Sequence, residues 1–167
     1  MRIARVAALA GFALLSLSTH AMAQLPIQLS FNAGIAKPMR NDADVYDSGF
    51  HLGAGLKIAL IPVQVDATLD RMGGKGALDD VTVLGLTGSL RLSVTPPLSP
   101  VGLYFLAGGG LYSARNEVTE TNIGLNAGAG VNLNLPFLKP FAEVRGIGLF
   151  SDPNKLTYAT AAVGLRF

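Results

Sequence analysis

Few residues in this sequence could carry out covalent or acid–base catalysis. The chain has no cysteine and two histidines, and we expect His20 to be removed with the N-terminal segment. Hydrolysis by a serine nucleophile requires a hydroxyl, a nearby imidazole and an orienting carboxylate. His51 lies in the stretch Gly49–Gly53, with no serine two residues after it. We therefore interpret His51 as a hydrogen-bonded interior histidine and predict no catalytic residue.

Two polar stretches resemble ligand loops but lack essential parts of them. The stretch Asn41–Asp47 carries side-chain oxygens at alternate positions, but it has neither the sharp-turn glycine nor the terminal glutamate of a calcium loop. The stretch Gly73–Gly76 is rich in glycine, but the serine or threonine of a phosphate-binding loop does not follow its lysine. We predict a solvated loop for the first, with weak divalent-cation contact as the alternative, and a mobile loop tip for the second. We expect no metal site and no cofactor.

Titratable residues also occur at positions that, in alternating β-strands, would place their side chains on the same face. Eight of them fall on that face: His51, Lys57, Asp66, Asp70, Arg91, Glu143, Arg145 and Arg166. If the face is buried, each charge needs a partner, because an isolated charge is costly to remove from water. We predict a network of salt bridges centred on Glu143 and basic neighbours from the last three strands. A narrow pore lined by these charges is the alternative.

The elements that would position these residues are short segments in which apolar residues alternate with small or polar ones. A period of two is typical of a β-strand with unlike faces, and about ten residues suffice for a tilted strand to cross a bilayer. Eight such segments are predicted: Ile27–Ala36, Gly49–Leu60, Val63–Arg71, Val81–Val94, Val101–Ser113, Asn122–Leu135, Lys139–Phe150 and Leu156–Phe167. The alternation is clearest in Asn122–Leu135.

Three of these segments carry an interruption. The pattern changes phase near the start of Val81–Val94. In Val101–Ser113 the apolar residues fall on both faces, and we interpret Gly108–Gly110 as a bulge or bend in the strand. The phase of Lys139–Phe150 becomes ambiguous toward its end.

The N-terminus has the three parts of a secretory signal peptide. Arg2 and Arg5 form the charged region, an apolar run follows that is too short to span a bilayer, and Ala21-Met22-Ala23 is a small-x-small cleavage pattern. We predict a signal peptide at residues 1–23 and one domain at residues 24–167. Losing the two arginines cancels the formal charge of +2, so nothing in the domain's charge supports a nucleic-acid partner.

Composition indicates which face of the strands is outside. Apolar residues make up 50% of the chain, and charged residues make up 14%, against about 25% in an ordinary soluble domain. A soluble lipocalin-like barrel would keep its apolar face inside and carry a charged coat. Here the second face is mostly Gly, Ser, Asn and Ala, which suits the narrow interior of an eight-stranded barrel. We predict an apolar exterior against lipid, and the soluble barrel is the alternative.

The connections alternate in character as well. Those after strands 2, 4 and 6 contain proline and few charges, whereas those after strands 1, 3, 5 and 7 hold most of the loop charges. Membrane barrels have short turns at the periplasmic end and longer loops outside. The alternation therefore predicts that both termini lie on the periplasmic side.

The signal peptide ending Ala21-Met22-Ala23, the alternating strands and the terminal sequence AAVGLRF together carry a resemblance. The chain resembles the small outer-membrane β-barrel proteins, the group of OmpX/Ail-like and OmpA-transmembrane-like barrels. In that group a last strand ending in Phe is similar to the signal that the outer-membrane insertion machinery reads. Carried over to this chain, the resemblance implies an insertion signal at Tyr158, Val163, Leu165 and Phe167.

The resemblance covers most of residues 24–167 but departs from the group in its aromatic residues. The chain has no Trp and an aromatic content of 7%, whereas membrane barrels carry aromatic girdles at both interfaces. We expect the girdles to be formed by Phe31, Phe50, Phe105, Phe137, Phe141, Phe150, Phe167, Tyr46, Tyr104, Tyr112 and Tyr158. The loops are also short, which weakens an adhesin interpretation.

These patterns predict an all-β fold: an eight-stranded antiparallel up-and-down transmembrane β-barrel preceded by a cleavable signal peptide. The resemblance implies the outer membrane of a Gram-negative-type bacterium, and we expect a monomer. The implied partners are outer-membrane lipid and lipopolysaccharide, the insertion machinery and periplasmic chaperones. We expect a structural or surface-exposed role without catalysis. The alternatives are a narrow pore, a lipid A-modifying barrel enzyme and the soluble lipocalin-like binder.

Overall fold

The structure is a computed structural model, and it describes residues 27–58, 61–76, 78–94, 96, 99–115, 119–135, 138–150 and 156–167. Eight antiparallel strands form one closed barrel, which confirms the predicted all-β, eight-stranded antiparallel barrel. The strands are β1 (Ile27–Pro38), β2 (Gly49–Ile58), β3 (Val63–Met72), β4 (Val81–Val94), β5 (Val101–Arg115), β6 (Thr119–Leu133), β7 (Lys139–Phe150) and β8 (Thr157–Arg166). One helical turn, α1 (Asp42–Val45), lies between β1 and β2.

Some predictions fall on residues that are not described. Among these are the signal peptide at residues 1–23, the last two residues of the predicted strand Gly49–Leu60, Phe137 of the predicted girdle and part of the charged connections. Within the described part of the chain, no helix is both long and apolar enough to cross a membrane.

The barrel closes because the last strand pairs with the first. Each strand pairs with its neighbour in sequence, and β8 returns to β1 with Leu165 opposite Phe31 and Val163 opposite Ala33. Beyond the last paired residue, the Phe167 N–H donates to the carbonyl oxygen of Leu29 at 2.9 Å. Closure satisfies the backbone groups that an open sheet edge would leave exposed, as a lipid environment requires.

The two faces of the barrel have the polarity that composition predicts. Large apolar side chains point outward along every strand, with exposed fractions that reach 65% at Ile123 and 67% at Val163. Polar and charged side chains point inward and are buried. The apolar face is therefore outside, the reverse of the arrangement that a soluble lipocalin-like barrel needs.

Several strand boundaries differ from the predicted ones. β1 continues through Lys37 and Pro38 instead of ending at Ala36, because a proline in the last position of a strand interrupts no interior ladder bond. β5 continues to Arg115 and β6 begins at Thr119, so this hairpin is longer than predicted.

The predicted interruptions of β4, β5 and β7 are wrong. β4 alternates from Val81 onward without a change of phase, and β7 keeps its alternation to Phe150. β5 pairs with β4 in an unbroken register, so Gly108–Gly110 forms no bulge. A Cβ on Gly108 would lie 2.1 Å from the Gly88 carbonyl oxygen, so glycine is needed for close approach of the two strands. Apolar residues on the inner face caused the apparent ambiguity.

The barrel has two unlike ends, which we call the loop end and the turn end. The loop end holds the connections after β1, β3, β5 and β7, and the turn end holds the other connections, the start of β1 and the end of β8. The antiparallel order thus separates the charged loops from the proline-containing turns. The even number of strands brings both ends of the described chain to the turn end.

The first two loops at the loop end are fastened to each other, although the sequence predicted a solvated loop and a mobile tip. Tyr46 forms a β-bridge with Gly74, and the Lys75 ammonium donates to the carbonyl oxygen of Ala43 at 2.6 Å. The positive φ of 69° at Gly76 explains the glycine at that turn. Asp42, in the first turn of α1, accepts the Thr157 N–H at 2.8 Å, which ties this loop to β8.

Candidate functional site: the packed lumen

An ion-pair cluster crosses the middle of the lumen. The Arg145 guanidinium on β7 donates to Asp66 on β3 at 3.1 Å and to Glu143 at 2.7 and 3.0 Å. β3 and β7 lie on opposite sides of an eight-stranded barrel, so the Arg145–Asp66 bond spans the interior. All three side chains are at most 7% exposed.

The remaining carboxylate oxygens of this cluster also accept hydrogen bonds. The Gln64 amide donates to Asp66 at 2.7 Å, and the Tyr104 hydroxyl donates to Glu143 at 2.9 Å. Each carboxylate oxygen thus has a donor, which is the condition under which buried charges are tolerated. The sequence placed Glu143 at the centre, but Arg145 holds that position. Asp66 was predicted as a member of the network but not as the partner of Arg145, because alternation assigns a face to a residue but does not show which strand lies opposite to it.

A second cluster surrounds the interior histidine. His51 Nδ1 lies 2.5 Å from Asp70 Oδ1, and His51 Nε2 lies 2.9 Å from Asn32 Oδ1. The Tyr158 hydroxyl donates to the other oxygen of Asp70 at 3.0 Å. Both ring nitrogens face acceptor oxygens, so the ring donates in both directions when it carries two protons. Neither nitrogen is directed at a hydroxyl that it could activate.

Apolar side chains fill the loop end of the lumen. The cluster consists of Ala36, Met72, Val81, Val83, Tyr112, Ile147, Leu149 and Tyr158, with Tyr46, Ala114 and Leu156 packed against it. The sequence predicted an inner face made mostly of Gly, Ser, Asn and Ala, and this end departs from that prediction. We call these residues the apolar plug, because they are buried together inside the loop end of the barrel.

Aromatic and cationic side chains occupy the turn end. The Arg91 guanidinium lies 3.5 Å from the centre of the Tyr104 ring, and Arg166 lies over the rings of Phe141 at 4.6 Å and Tyr104 at 5.7 Å. Such stacking is favourable for a cation that has left water. Tyr104 fits because Gly130 faces it: a Cβ on Gly130 would lie 2.3 Å from the ring.

The predicted aromatic girdle is therefore wrong at five positions, one of which is Tyr46, a side chain that packs against the apolar plug. Tyr104, Tyr112, Tyr158 and Phe141 point into the lumen and are buried. The sequence contained a signal for this inward direction, because each of these residues falls on the same face as the glycines and charged residues of its own strand. Phe31, Phe50, Phe105, Phe150 and Phe167 point outward, and Phe137 lies outside the described residues.

All eight residues of the predicted network occupy the inner face. Seven are buried, whereas Lys57 near the turn end is half-buried. The structure brings His51 to Asp70, joins Arg145 to Asp66 and Glu143, and links Arg91 to the cluster by a 3.0 Å hydrogen bond to Gln64. Arg166 contacts aromatic rings. Of the predicted insertion signal, Val163, Leu165 and Phe167 point outward and Tyr158 points inward; its role stays a prediction.

Catalytic and metal chemistry find little support in this geometry. No group of three or more potential metal ligands occurs among the described residues. The hydrogen-bond partners of His51 in the described chain are Asp70 and Asn32, and neither is a nucleophile.

The fold is similar to that of solved membrane barrels. Neisserial surface protein A matches with a TM-score of 0.61 and 18% identity, over 84% of this chain and 96% of that one. Two weaker likenesses are the N-terminal barrel domain of Pseudomonas aeruginosa OprF (TM-score 0.49, 13% identity, 86% and 98% covered) and the Yersinia pestis outer membrane protein Ail (0.46, 18%, 84% and 99%). No protein-family model matches the chain, and a search of curated proteins finds no match.

Proposed function

We propose that this chain is an outer-membrane β-barrel protein with a structural or surface-exposed role and no catalytic activity. The observation that carries the proposal is the reversed polarity of a closed barrel, with large apolar side chains outside and charges inside. In water an exposed apolar surface of this extent is a liability. Against lipid it is the surface that a membrane barrel requires.

The likeness to Neisserial surface protein A supports the membrane fold, and the predicted signal peptide supports export. In this proposal the loop end faces the exterior and the turn end faces the periplasm. Outer-membrane lipid covers the apolar face. Lipopolysaccharide, which carries negative charge, contacts the exposed basic residues of this end, such as Arg40 and Arg115.

The last strand carries the proposed insertion signal. Val163, Leu165 and Phe167 form an outward apolar row at the end of the chain, where the insertion machinery would find them before the barrel closes. Phe167→Ala should therefore lower the outer-membrane yield while barrels already inserted stay folded. The readout is folded protein in the outer-membrane fraction, compared with a Phe150→Ala control at the opposite end of the barrel. Equal yields for wild type and Phe167→Ala would contradict the signal.

The lumen of the proposed protein does not conduct. The apolar plug closes the loop end, and the Arg145–Asp66 bond crosses the middle. Planar-bilayer recordings of the purified protein should stay silent. Reproducible current steps would favour the narrow pore.

The lipid A-modifying enzyme is the second rival. That chemistry would need a base with a free nitrogen near a nucleophile, whereas both nitrogens of His51 lie against acceptor oxygens. Mass spectra of lipid A from cells with and without the protein should be identical. A new or missing acyl chain would overturn the proposal of no catalysis.

The location itself is tested by fractionation combined with gel mobility. The protein should be recovered with the outer membrane and should migrate differently before and after boiling, because a closed barrel resists detergent until it is heated. Recovery in the soluble periplasm, without a heat-dependent shift, would refute the membrane barrel.

A further inference from the structure

We propose that the turn-end mouth of the lumen binds a doubly charged phosphate group. Four cations converge there from four strands: Lys57 on β2, Arg91 on β4, Lys139 on β7 and Arg166 on β8. This proposal does not rest on the proposed function, because the mouth is formed by the barrel itself in any surroundings.

The register of the strands places these cations around one opening. Lys139 is directly opposite Arg166 on the paired strand. Lys57 is opposite Gln64, whose side-chain oxygen accepts from Arg91. The two guanidinium groups share the Tyr104 ring, at 3.5 and 5.7 Å from its centre. The four positive charges are therefore close enough to repel one another.

Both arginines keep donors that no described residue accepts. The Nε of Arg91 and an Nη of Arg166 are buried without a hydrogen-bond partner, and each residue is 4% exposed. An unsatisfied buried donor on a charged group costs free energy, so an acceptor at this place would stabilise the barrel.

The nearby carboxylates are already committed elsewhere. Asp66 and Glu143 are bound by Arg145, Gln64 and Tyr104, and Asp70 is bound by His51 and Tyr158. No acidic side chain of the described residues forms an ion pair with Arg91 or Arg166. Arg91 interacts with Asp66 and Glu143 only at longer range, so an anion bound at the mouth would supply the direct acceptor that these arginines lack.

The charge balance of the lumen indicates the class of ligand. Four cations surround the mouth, Lys57, Arg91, Lys139 and Arg166, whereas the nearby Asp66 and Glu143 carboxylates are already bound by Arg145. Several cations around one mouth suit a doubly charged phosphate group better than a single carboxylate. Guanidinium groups offer paired N–H donors that fit phosphate oxygens.

The burial of the cations suggests how such a group enters. Lys57 and Lys139 are half-buried and reachable from the turn end, whereas both arginines are buried deeper. A phosphate would meet the lysines first and then the arginine donors. Free phosphate and the phosphate of a lipid headgroup share this chemistry.

Titration calorimetry with inorganic phosphate tests the site directly. The protein is held in maltoside micelles, which contain no phosphate, and sodium chloride of equal ionic strength is the reference. We expect saturable binding of one phosphate per chain. Arg91→Gln and Arg166→Gln should each weaken it at least tenfold, and Arg91→Lys, which keeps the charge but loses the paired donors, should fall between. Lys75→Gln, at the loop end, is the matched control and should bind as wild type does.

A second arm separates the two sources of phosphate. Wild-type protein is placed in phosphatidylcholine bilayers with and without a phosphomonoester lipid, and inorganic phosphate is titrated again. Competition only in the presence of that lipid would identify a headgroup as the occupant, whereas unchanged binding would identify free phosphate. No binding to wild type in either arm, or equal binding by Arg91→Gln, would overturn the proposal. Neither result bears on the location of the barrel, which fractionation tests separately.

Discussion

The two ends of the lumen are filled by different means. At the loop end, eight buried apolar or aromatic side chains pack against one another. At the turn end, a small apolar group, Tyr104, Leu106 and Phe141, lies beneath four cations. The ion-pair clusters of Arg145 and His51 separate the two ends. One barrel thus combines a plug that needs no partner with a mouth whose charges are incompletely satisfied.

This difference separates two sources of stability. One is the packing of side chains, and the other is the pairing of every buried hydrogen-bond donor and acceptor. In the plug, the free energy of unfolding depends on volume and contact. In the charged clusters, it depends on every donor and acceptor keeping its partner, because a charge left alone inside is costly. The two regions should therefore respond to different substitutions, and the responses can be ranked.

The largest effect is expected where two carboxylates depend on one arginine. Arg145→Met leaves Asp66 and Glu143 buried without their cation, so the free energy of unfolding should fall by about 3–5 kcal/mol. Urea unfolding in micelles measures it. Arg71→Met removes an exposed pair with Asp80 and is the control, with a loss below about 1 kcal/mol. Equal losses of unfolding free energy in the two variants would contradict a central cluster whose stability depends on the Arg145 charge.

Truncation in the plug should come next. Leu149 is 2% exposed among apolar neighbours, so Leu149→Ala should cost about 2–5 kcal/mol through lost burial and the cavity that remains. Leu86→Ala, on the outer face, is the matched control and should cost less because the acyl chains of the surrounding detergent or lipid can fill the space. A larger loss at Leu86 than at Leu149 would contradict the packed plug.

A single hydroxyl group distinguishes two tyrosines of the plug. Tyr158 donates to the Asp70 carboxylate at 3.0 Å, so Tyr158→Phe should lose about 1.5–3 kcal/mol of unfolding free energy. The Tyr112 oxygen only accepts a long bond of 3.4 Å from Asn126, so Tyr112→Phe should lose less than about 1 kcal/mol. A larger loss for Tyr112→Phe than for Tyr158→Phe would contradict a stabilising hydrogen bond between Tyr158 and Asp70.

The smallest effect lies outside the lumen, at the loop end. Hydrogen bonds from Arg71 and from the Gly74 N–H lower the pKa of the exposed Asp80 carboxyl. A lowered folded-state pKa stabilises the loop above the unfolded value, and this contribution is lost as the pH falls through the folded value. NMR titration of Asp80 should give a midpoint below the ordinary Asp value, and Arg71→Met should raise it. A midpoint at or above the ordinary Asp value would contradict the hydrogen bond between Arg71 and Asp80.

Much of the fold follows from alternation alone. The residues from Asn122 to Leu133 predict both the strand and its faces, because each inward position is Asn or Gly and each outward position is apolar. Alternation fails to predict what fills the inside. Val83 and Leu149 are apolar yet point inward, so a rule that sends every apolar residue outward assigns them to the wrong face.

The partners within the site could be predicted only in part. A buried Arg145 requires a carboxylate, and Glu143 two residues away is an evident candidate. Asp66 lies 79 residues away and meets Arg145 only because the closed register places β3 across from β7. The number of strands and their offset determine which residues meet across a lumen, and neither is contained in the pattern of one strand.

The most direct test of the membrane-facing exterior uses the absence of tryptophan from the chain. A single Trp replaces Leu86, which is 59% exposed in the middle of β4, and a second variant carries Trp at Leu78 in the loop. Both are reconstituted with lipids brominated near the centre of their acyl chains. Strong quenching of Leu86→Trp with little quenching of Leu78→Trp is the expected result. Fluorescence of Leu86→Trp that is unaffected by brominated lipid would contradict a barrel whose apolar face meets the bilayer.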